Sequence, residues 1–272
     1  MTTTPGALSP AAIVATLRGA GCVFAEDEAE LLIATATTDA ELADMVDRRI
    51  SGLPLEQVLG WADFHGLRIL LEPRVFVPRR RTEFLVREAV AAYQARSGDR
   101  GRTPVVVDLC CGSGALGAAV AAVLGGVEVH AVDIDPAAVR CARRNLPAPV
   151  GQVYQGDLYE PLPGRLRGRV DLLLANVPYV PSGDVALLPM EARVHEPRHA
   201  LDGGADGLDV LRRVANAAPN WLAPGGHLLV ETTDRQASPA VRAVAGAGLL
   251  PRLATCPDLD ATVLAATLPF DS

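Results

Sequence analysis

Four short segments of this chain carry residue types that can do chemistry. Asp108-Leu109-Cys110-Cys111-Gly112-Ser113-Gly114 follows a run of three valines and precedes a helical pattern. Small residues in a strand-to-helix turn let a ligand approach the backbone closely and expose amide groups at the helix start. A purely structural tight turn would carry the same pattern. Asp133 closes the next apolar run about twenty residues on, where a carboxylate can accept hydrogen bonds from two ribose hydroxyls. The plainer role for an acid there is a helix cap, and Asp135-Pro136 is better placed to supply one. Gly156-Asp157 ends a third run, positioned to meet an adenine amino group, and Asn176-Val177-Pro178-Tyr179 follows the apolar run 171–175, at the edge where a reactant should sit.

The elements that must position these segments read as follows. From residue 104 onward, strand-like runs at 105–109, 127–132, 152–155, 170–175 and 227–231 alternate with helical patterns at 115–124, 136–145, 207–222 and 238–247. Such alternation predicts an α/β domain of parallel strands with crossover helices, which binds its ligands at the carboxyl ends of the strands. Ahead of it, residues 9–50 alternate apolar and polar positions at helical spacing, interrupted around 19–21 and 37–39, which predicts three short helices with Ser9 and Asp39 as N-caps. Between the two lie β-rich pieces at 64–71 and 75–77, read as a hairpin, a helix over 82–96 and a polar linker at 97–103. The expected division is a helical domain over 1–50, a hairpin and helical linker over 51–103, and the α/β domain over 104–272.

Composition narrows the chemistry. All 25 basic side chains of the 272 residues are arginine. Without lysine there is no P-loop lysine, no Schiff base and no lysine general base. A hydrophobic fraction of 49% against 21% charged residues suffices for a large core. A net charge of −7 and a pI near 5.3 argue against a protein that holds nucleic acid by neutralising phosphates. Residues 1–47 carry eight acids against one arginine, which reads either as solvated helix faces or as a docking surface for a basic macromolecule. The five cysteines, at 22, 110, 111, 141 and 256, form no C-x-x-C pair and no zinc spacing, so no metal is expected and a reduced, cytoplasmic protein is the default. No signal peptide is read at the amino terminus, and the uncharged stretch 109–127 is read as a buried loop and helix rather than a membrane span. The five histidines are scattered and read as structural or solvent-facing, and Arg165, Arg167 and Arg169 as part of a solvated loop.

Taken together, Asp-x-x-x-Gly-x-Gly, the acid after the second strand and Asn-x-Pro-Tyr after the fourth resemble class I S-adenosylmethionine-dependent methyltransferases that methylate a nitrogen conjugated to an sp² carbon. The resemblance implies a Rossmann-like seven-stranded sheet whose last strand runs antiparallel. A narrower similarity lies in Gly52-Leu53-Pro54-Leu55-Glu56-Gln57-Val58-Leu59-Gly60, Phe64-His65-Gly66-Leu67, Val75-Phe76-Val77-Pro78-Arg79 with Thr82-Glu83, and His195-Glu196-Pro197 followed by Gly203-Gly204 and Asp206-Gly207-Leu208. These resemble the protein-(glutamine-N5) methyltransferases, over roughly residues 45–235. Members of that family methylate the glutamine of the Gly-Gly-Gln loop in peptide chain release factors.

What the resemblance implies is specific. S-adenosylmethionine would be held by Asp108, Cys110, Gly112, Gly114, Asp133, Ile134, Asp157, Leu158 and Asn176, leaving as S-adenosylhomocysteine. Asn176, Val177, Pro178 and Tyr179 would form the catalytic loop, the Asn176 side-chain oxygen and the Val177 carbonyl accepting the two hydrogens of a primary amide while Tyr179 packs on its plane. Phe76, Arg79, Glu83 and Glu196 would bind the acceptor, a release factor or another glutamine-bearing protein, with the helical domain aiding its recognition. Three departures stand out: Val177 where the family usually has a first proline, Cys110 for the first glycine of the cofactor loop, and Arg80-Arg81 where the family continues with proline and an acid. Two other readings stay open, an amino-methyltransferase of adenine or guanine in nucleic acid and a catalytically degenerate paralogue that only binds cofactor.

Overall fold

The computed structural model describes residues 9–95 and 101–270; Arg96 and residues 97–100 of the expected linker lie outside them. Three helices come first, α1 (Pro10–Gly19), α2 (Ala25–Thr35) and α3 (Asp39–Ile50). Ser9 caps α1 by accepting from the Ala12 amide, with Pro10 opening the helix. The cap of α3 is Thr38 rather than Asp39: Thr38 Oγ1 accepts from the Glu41 amide at 3.2 Å, and Asp39 is the first helical residue, its charge at the positive end of the helix. Ile13, Leu17, Leu32, Met45 and Val46 give these helices a core of their own.

A single short helix, α4 (Leu55–Leu59), leads into the hairpin β1 (Trp61–Phe64) and β2 (Leu67–Leu70). The piece read as one strand at 64–71 therefore contains the turn. His65 (φ +50°) and Gly66 (φ +76°) are both left-handed, the backbone that lets a two-residue turn follow the twist of its strands. Residues 75–77 are not a strand. The Val75 carbonyl accepts from Gln57 Nε2 at 3.1 Å and the Val77 amide donates to Glu196 at 3.2 Å, so side chains satisfy the backbone there. Helix α5 (Glu83–Ala95) follows a 3₁₀ turn at Arg80–Thr82.

The seven-stranded sheet comprises β3 (Val105–Leu109), β4 (Glu128–Asp133), β5 (Gly151–Gln155), β6 (Val170–Ala175), β7 (Leu222–Thr232), β8 (Leu250–Cys256) and β9 (Ala261–Thr267), in the order β5-β4-β3-β6-β7-β9-β8. Only β9 runs against its neighbours. Strands β3 and β6 are buried throughout, as unbroken apolar runs in a sheet covered on both faces must be. Val106, Leu172 and Leu174 point to the layer of α5, α6 (Ala115–Leu124) and α7 (Pro136–Asn145). Val105, Val107, Leu173 and Ala175 point to α9 (Asp209–Ala217) and α10 (Asp234–Gly246).

Several boundaries differ from the sequence pattern for local reasons. Helix α9 starts at Asp209 because Gly207 is left-handed (φ +77°), and it gives way to a 3₁₀ turn at Ala218–Asn220 that contains Pro219. Strand β7 extends back to Leu222 through Pro224-Gly225-Gly226, with a register shift against Val170 and Leu172. Helix α10 begins at Asp234 and runs through Pro239, which made the sequence pattern start late. The alternation of apolar runs and helical patterns marks neither β8 nor β9. The stretch 109–127 folds as the end of β3, a turn and α6, and among the described residues no helix is long and apolar enough to cross a membrane.

Candidate active site

Strand register brings the motifs together. Leu109 pairs with Val132 on one side and Ala175 on the other, so Cys110 emerges beside both Asp133 and Asn176. Asp133 pairs with Gln155, which sets Gly156-Asp157 next along the same edge. From β3 the chain crosses to β4 on one side, and from β6 to β7 on the other. The carboxyl ends of these two strands thus flank the crevice where doubly wound sheets bind ligands. A cavity of about 550 Å³ opens there.

At one end of the cavity lie Cys110, Gly112, Asp133, Ile134, Asp157 and Leu158. The backbone fits a ligand held by amides: Cys110 (φ +55°), Gly112 (φ +54°) and Gly114 (φ +78°) are all left-handed, which turns the chain sharply between β3 and α6. For Cys110 this conformation costs roughly 1 kcal/mol that glycine would be spared. Asp133 is already engaged: one oxygen accepts from the Gly112 amide at 2.8 Å and the other from the Asp135 amide at 2.9 Å. Each oxygen keeps a second lone pair for a hydroxyl donor. Burial raises the Asp133 carboxyl despite these amides. Helix α7 takes its cap from Asp135, whose Oδ1 accepts from the Ala137 amide at 2.7 Å. Asp157 is paired with Arg213 at 2.6 Å, and Ile134 is 57% exposed at the cavity, an apolar surface for a flat ring.

At the other end lie Asn176, Val177, Pro178 and Tyr179 with Phe76, Arg79 and Glu196. Asn176 Oδ1 is a buried oxygen with no hydrogen-bond partner among the described residues. Such an acceptor costs free energy until a donor reaches it. The loop is braced from behind by the glycines of 203–207. Gly203 donates to the Val180 carbonyl at 2.8 Å, and a Cβ on Gly203 would lie 2.6 Å from the Pro178 carbonyl oxygen. A Cβ on Gly207 would lie 2.2 Å from that of Tyr179. Glu196, whose side chain is fully buried, accepts from Arg79 at 2.6 Å through Oε1, while Oε2 has no partner among the described residues; burial holds its carboxyl above the usual range.

Three nominated residues stand away from the cavity wall. Asp108 is wholly buried beneath it, one oxygen accepting from the Gly117 amide at 3.0 Å, and desolvation pushes its carboxyl up to about 7. Gly114 faces Ala142 of α7 and Leu146 just beyond its end, where a Cβ would come within 3.1–3.2 Å. Glu83 accepts from the His65 amide at 3.1 Å and so braces the hairpin turn. Conversely, the structure places at the cavity residues that spacing did not nominate: Arg81, Arg213, Glu191 and His199. Arg81 bonds both Glu231 and Tyr179, and Arg49 joins Glu28 to Glu191. These partners lie far apart in sequence, and only the Arg80-Arg81 departure signalled any of them.

A sheet of this order, with a glycine-rich turn after β3, an acid after β4 and Asn-Val-Pro-Tyr after β6, defines a class I methyltransferase. The family described as Methyltransferase small domain matches residues 94–205. Ribosomal protein L11 methylase from Lactobacillus delbrueckii subsp. bulgaricus shares the fold, with a TM-score of 0.50 at 16% identity over 70% of this chain and 80% of that one. The release factor glutamine methyltransferase of Geobacter sulfurreducens is 39% identical over 71% of this chain and 65% of its own length. That of Mycolicibacterium smegmatis is 36% identical over 85% and 86%. The 4-amino-L-phenylalanine/4-methylamino-L-phenylalanine methyltransferase of Streptomyces pristinaespiralis is 39% identical over 68% and 63%. The chain belongs to the release factor glutamine methyltransferase family.

Proposed function

We propose that this protein transfers a methyl group from S-adenosylmethionine to the side-chain amide nitrogen of a glutamine, in the Gly-Gly-Gln loop of peptide chain release factors. The observation that carries the reading is Asn176 Oδ1, a buried, unpartnered acceptor at the carboxyl end of β6. A primary amide nitrogen has its lone pair delocalised into the carbonyl and is a poor nucleophile, so the site must orient it. Asn176 Oδ1 and the Val177 carbonyl accept its two hydrogens and aim the lone pair along the crevice. Pro178 favours extended backbone at Val177. Tyr179 packs on the amide plane. When bound, S-adenosylmethionine supplies an electrophilic methyl group on a sulfonium. The same two acceptors meet the positive charge that develops on nitrogen, and one of the hydrogens leaves as a proton after transfer. Positioning and fixed acceptors of this kind account for several orders of magnitude in rate.

The cofactor is assigned to Cys110, Gly112, Asp133, Ile134, Asp157 and Leu158, with Asp108 and Gly114 shaping the turn from beneath. Phe76, Arg79 and Glu196 are assigned to the acceptor. The proposed setting is the cytoplasm, and the proposed organisation is a helical domain over 1–50, a linker over 51–103 and a catalytic domain over 104–272.

The relative that acts on 4-amino-L-phenylalanine favours a second reading, a small aromatic amine as acceptor, since that nitrogen too is conjugated to an sp² carbon. The deciding experiment is transfer of labelled methyl to purified release factor, to the same factor with Gln→Ala in its Gly-Gly-Gln loop, and to 4-amino-L-phenylalanine. Label on the glutamine alone, located by mass spectrometry, supports the first reading. Label on the amino acid alone replaces it with the second.

A further inference from the structure

Arg81 stands where the sequence departs from the family it resembles, and it reaches the heart of the acceptor end. Its Nε donates to Glu231 Oε1 at 2.9 Å, and a terminal guanidinium nitrogen donates to the Tyr179 hydroxyl. Glu231, near the end of β7, is buried, and its second oxygen accepts from Thr82 Oγ1 at 2.6 Å. Tyr179 is also held by its main chain, where Gln236 Nε2 of α10 donates to its carbonyl at 2.8 Å. The ring is thereby fixed at both ends, by α10 through the backbone and by Arg81 through the hydroxyl.

We propose that Arg81 is a positioning residue for methyl transfer, acting through the Tyr179 hydroxyl to fix the ring against which the acceptor amide lies. The proposal rests on the amide-methylation reading above. Its physical basis is that a phenol ring tethered only at Cβ can swing about χ1 and χ2, whereas one bonded also at its hydroxyl cannot. The tether must itself be rigid. A guanidinium supplies that, because its planar fork serves Glu231 and Tyr179 at once, and Glu231 is in turn pinned by Thr82. An ammonium at this position would keep the charge on Glu231 and lose the fork.

The test is a double-mutant cycle of Arg81→Ala, Tyr179→Phe and the two combined, read as kcat and KM on release factor, with S-adenosylmethionine affinity measured by calorimetry. Arg81→Lys is the second variant, since it leaves Glu231 a cationic partner if loss of the guanidinium alone unsettles the fold. Each single variant is expected to lower kcat about 10-fold, the scale of a sub-ångström misplacement, and the combined variant no further. Arg81→Lys is expected to keep the melting temperature while still lowering kcat. Multiplying kcat effects would overturn the proposal, as would a KM increase from Arg81→Ala that persists in the Tyr179→Phe background, because Arg81 would then contact the acceptor directly. A readout independent of the acceptor is the phenol titration of Tyr179, followed by its ¹³Cζ resonance. It should move to higher pH in Arg81→Ala, and an unmoved titration sinks the tether. If wild-type protein fails to methylate release factor, the functional reading falls while the titration still decides whether Arg81 holds the ring.

Discussion

The two ends of the cavity are built by different means. The proposed cofactor end comes from the turns after β3, β4 and β5, and its bonds span shorter stretches of chain: the Gly112 amide meets Asp133 21 residues away and Asp157 meets Arg213 56 residues away. Backbone amides and small residues supply most of it. The acceptor end is held by arginine–glutamate pairs that cross the chain, Arg49–Glu191 over 142 residues, Arg79–Glu196 over 117 and Arg81–Glu231 over 150. A site made of backbone follows from strand register and tolerates few changes. One held by side-chain pairs can be re-aimed by single substitutions without disturbing its neighbour. On the proposed assignment, acceptor choice and cofactor binding should be separable in this molecule, which single substitutions can test.

The largest effect is expected at the junction. On the proposed assignment Asn176→Ala removes one of the two acceptors for the amide hydrogens, and kcat should fall on the order of 10³-fold, the cost of deleting one preorganised transition-state partner. Cofactor affinity should stay within a few-fold by calorimetry, and a comparable loss there would mean that the two ends are not separable. Asp133→Ala should do the reverse, weakening cofactor binding roughly 10- to 100-fold by removing the proposed ribose acceptor and the Gly112 anchor, with kcat at saturating cofactor little changed. Equal loss of affinity in the two variants would contradict both assignments.

Asp108 sharpens the comparison from beneath the cofactor end. Its carboxyl, pushed up to about 7 by burial, binds a proton in the folded protein at pH values where the unfolded chain, near 3.8, has lost it. Between those values the folded state holds more protons, so the contribution of Asp108 to stability falls as pH rises through this window and is level above it. Asp108→Asn removes the dependence. In urea unfolding, the variant should gain on wild type between pH 5 and pH 8, and an identical difference at both pH values would show that Asp108 is not held protonated. Because Asp108 does not line the cavity, cofactor affinity should change only a few-fold.

This division also explains what could be read in advance. The sheet core was legible because β3 and β6 are unbroken apolar runs, and the cofactor turn because left-handed backbone needs the small residues at 112 and 114. The Asn176-Val177-Pro178-Tyr179 segment could be placed at a strand end because the apolar run of β6 stops at Ala175, directly before it. Residues 75–77 misled because extended backbone bonded to the side chains of Gln57 and Glu196 has the same residue pattern as a strand. The hairpin turn hid inside an apolar run because His65-Gly66 is not a usual turn pair. Glu83, which the resemblance assigns to the acceptor, stands away from the cavity because one turn of 3₁₀ helix sends it to the His65 amide and sends Arg81 to Tyr179 instead. No pattern within a window of sequence could reveal a pair that spans more than a hundred residues.

The smallest effect probes how the helical region meets the acceptor end. Arg49, near the end of α3, is almost buried and donates to Glu28 of α2 at 2.6 Å, to the Leu53 carbonyl at 3.0 Å and to Glu191 at 2.7 Å. Glu191 belongs to α8 (Met190–His195), a single short helix that contributes to the cavity wall. One guanidinium therefore ties α2, α3 and the 51–54 connection to that wall. Its arms differ: the Glu28 side chain is 10% exposed, whereas that of Glu191 is 47% exposed. Breaking the inner arm would leave a buried charge uncompensated and destabilise the helices. Breaking the outer arm with Glu191→Gln costs a half-solvated pair, about 1 kcal/mol, and leaves the core untouched. The expected outcome is a rise in KM for release factor of up to roughly 5-fold, with kcat and cofactor affinity unchanged and the melting temperature lowered by about 2–4 °C at most. If KM is unchanged as well, the wall is set by α8 itself, and the helical region contributes to acceptor binding by contact alone.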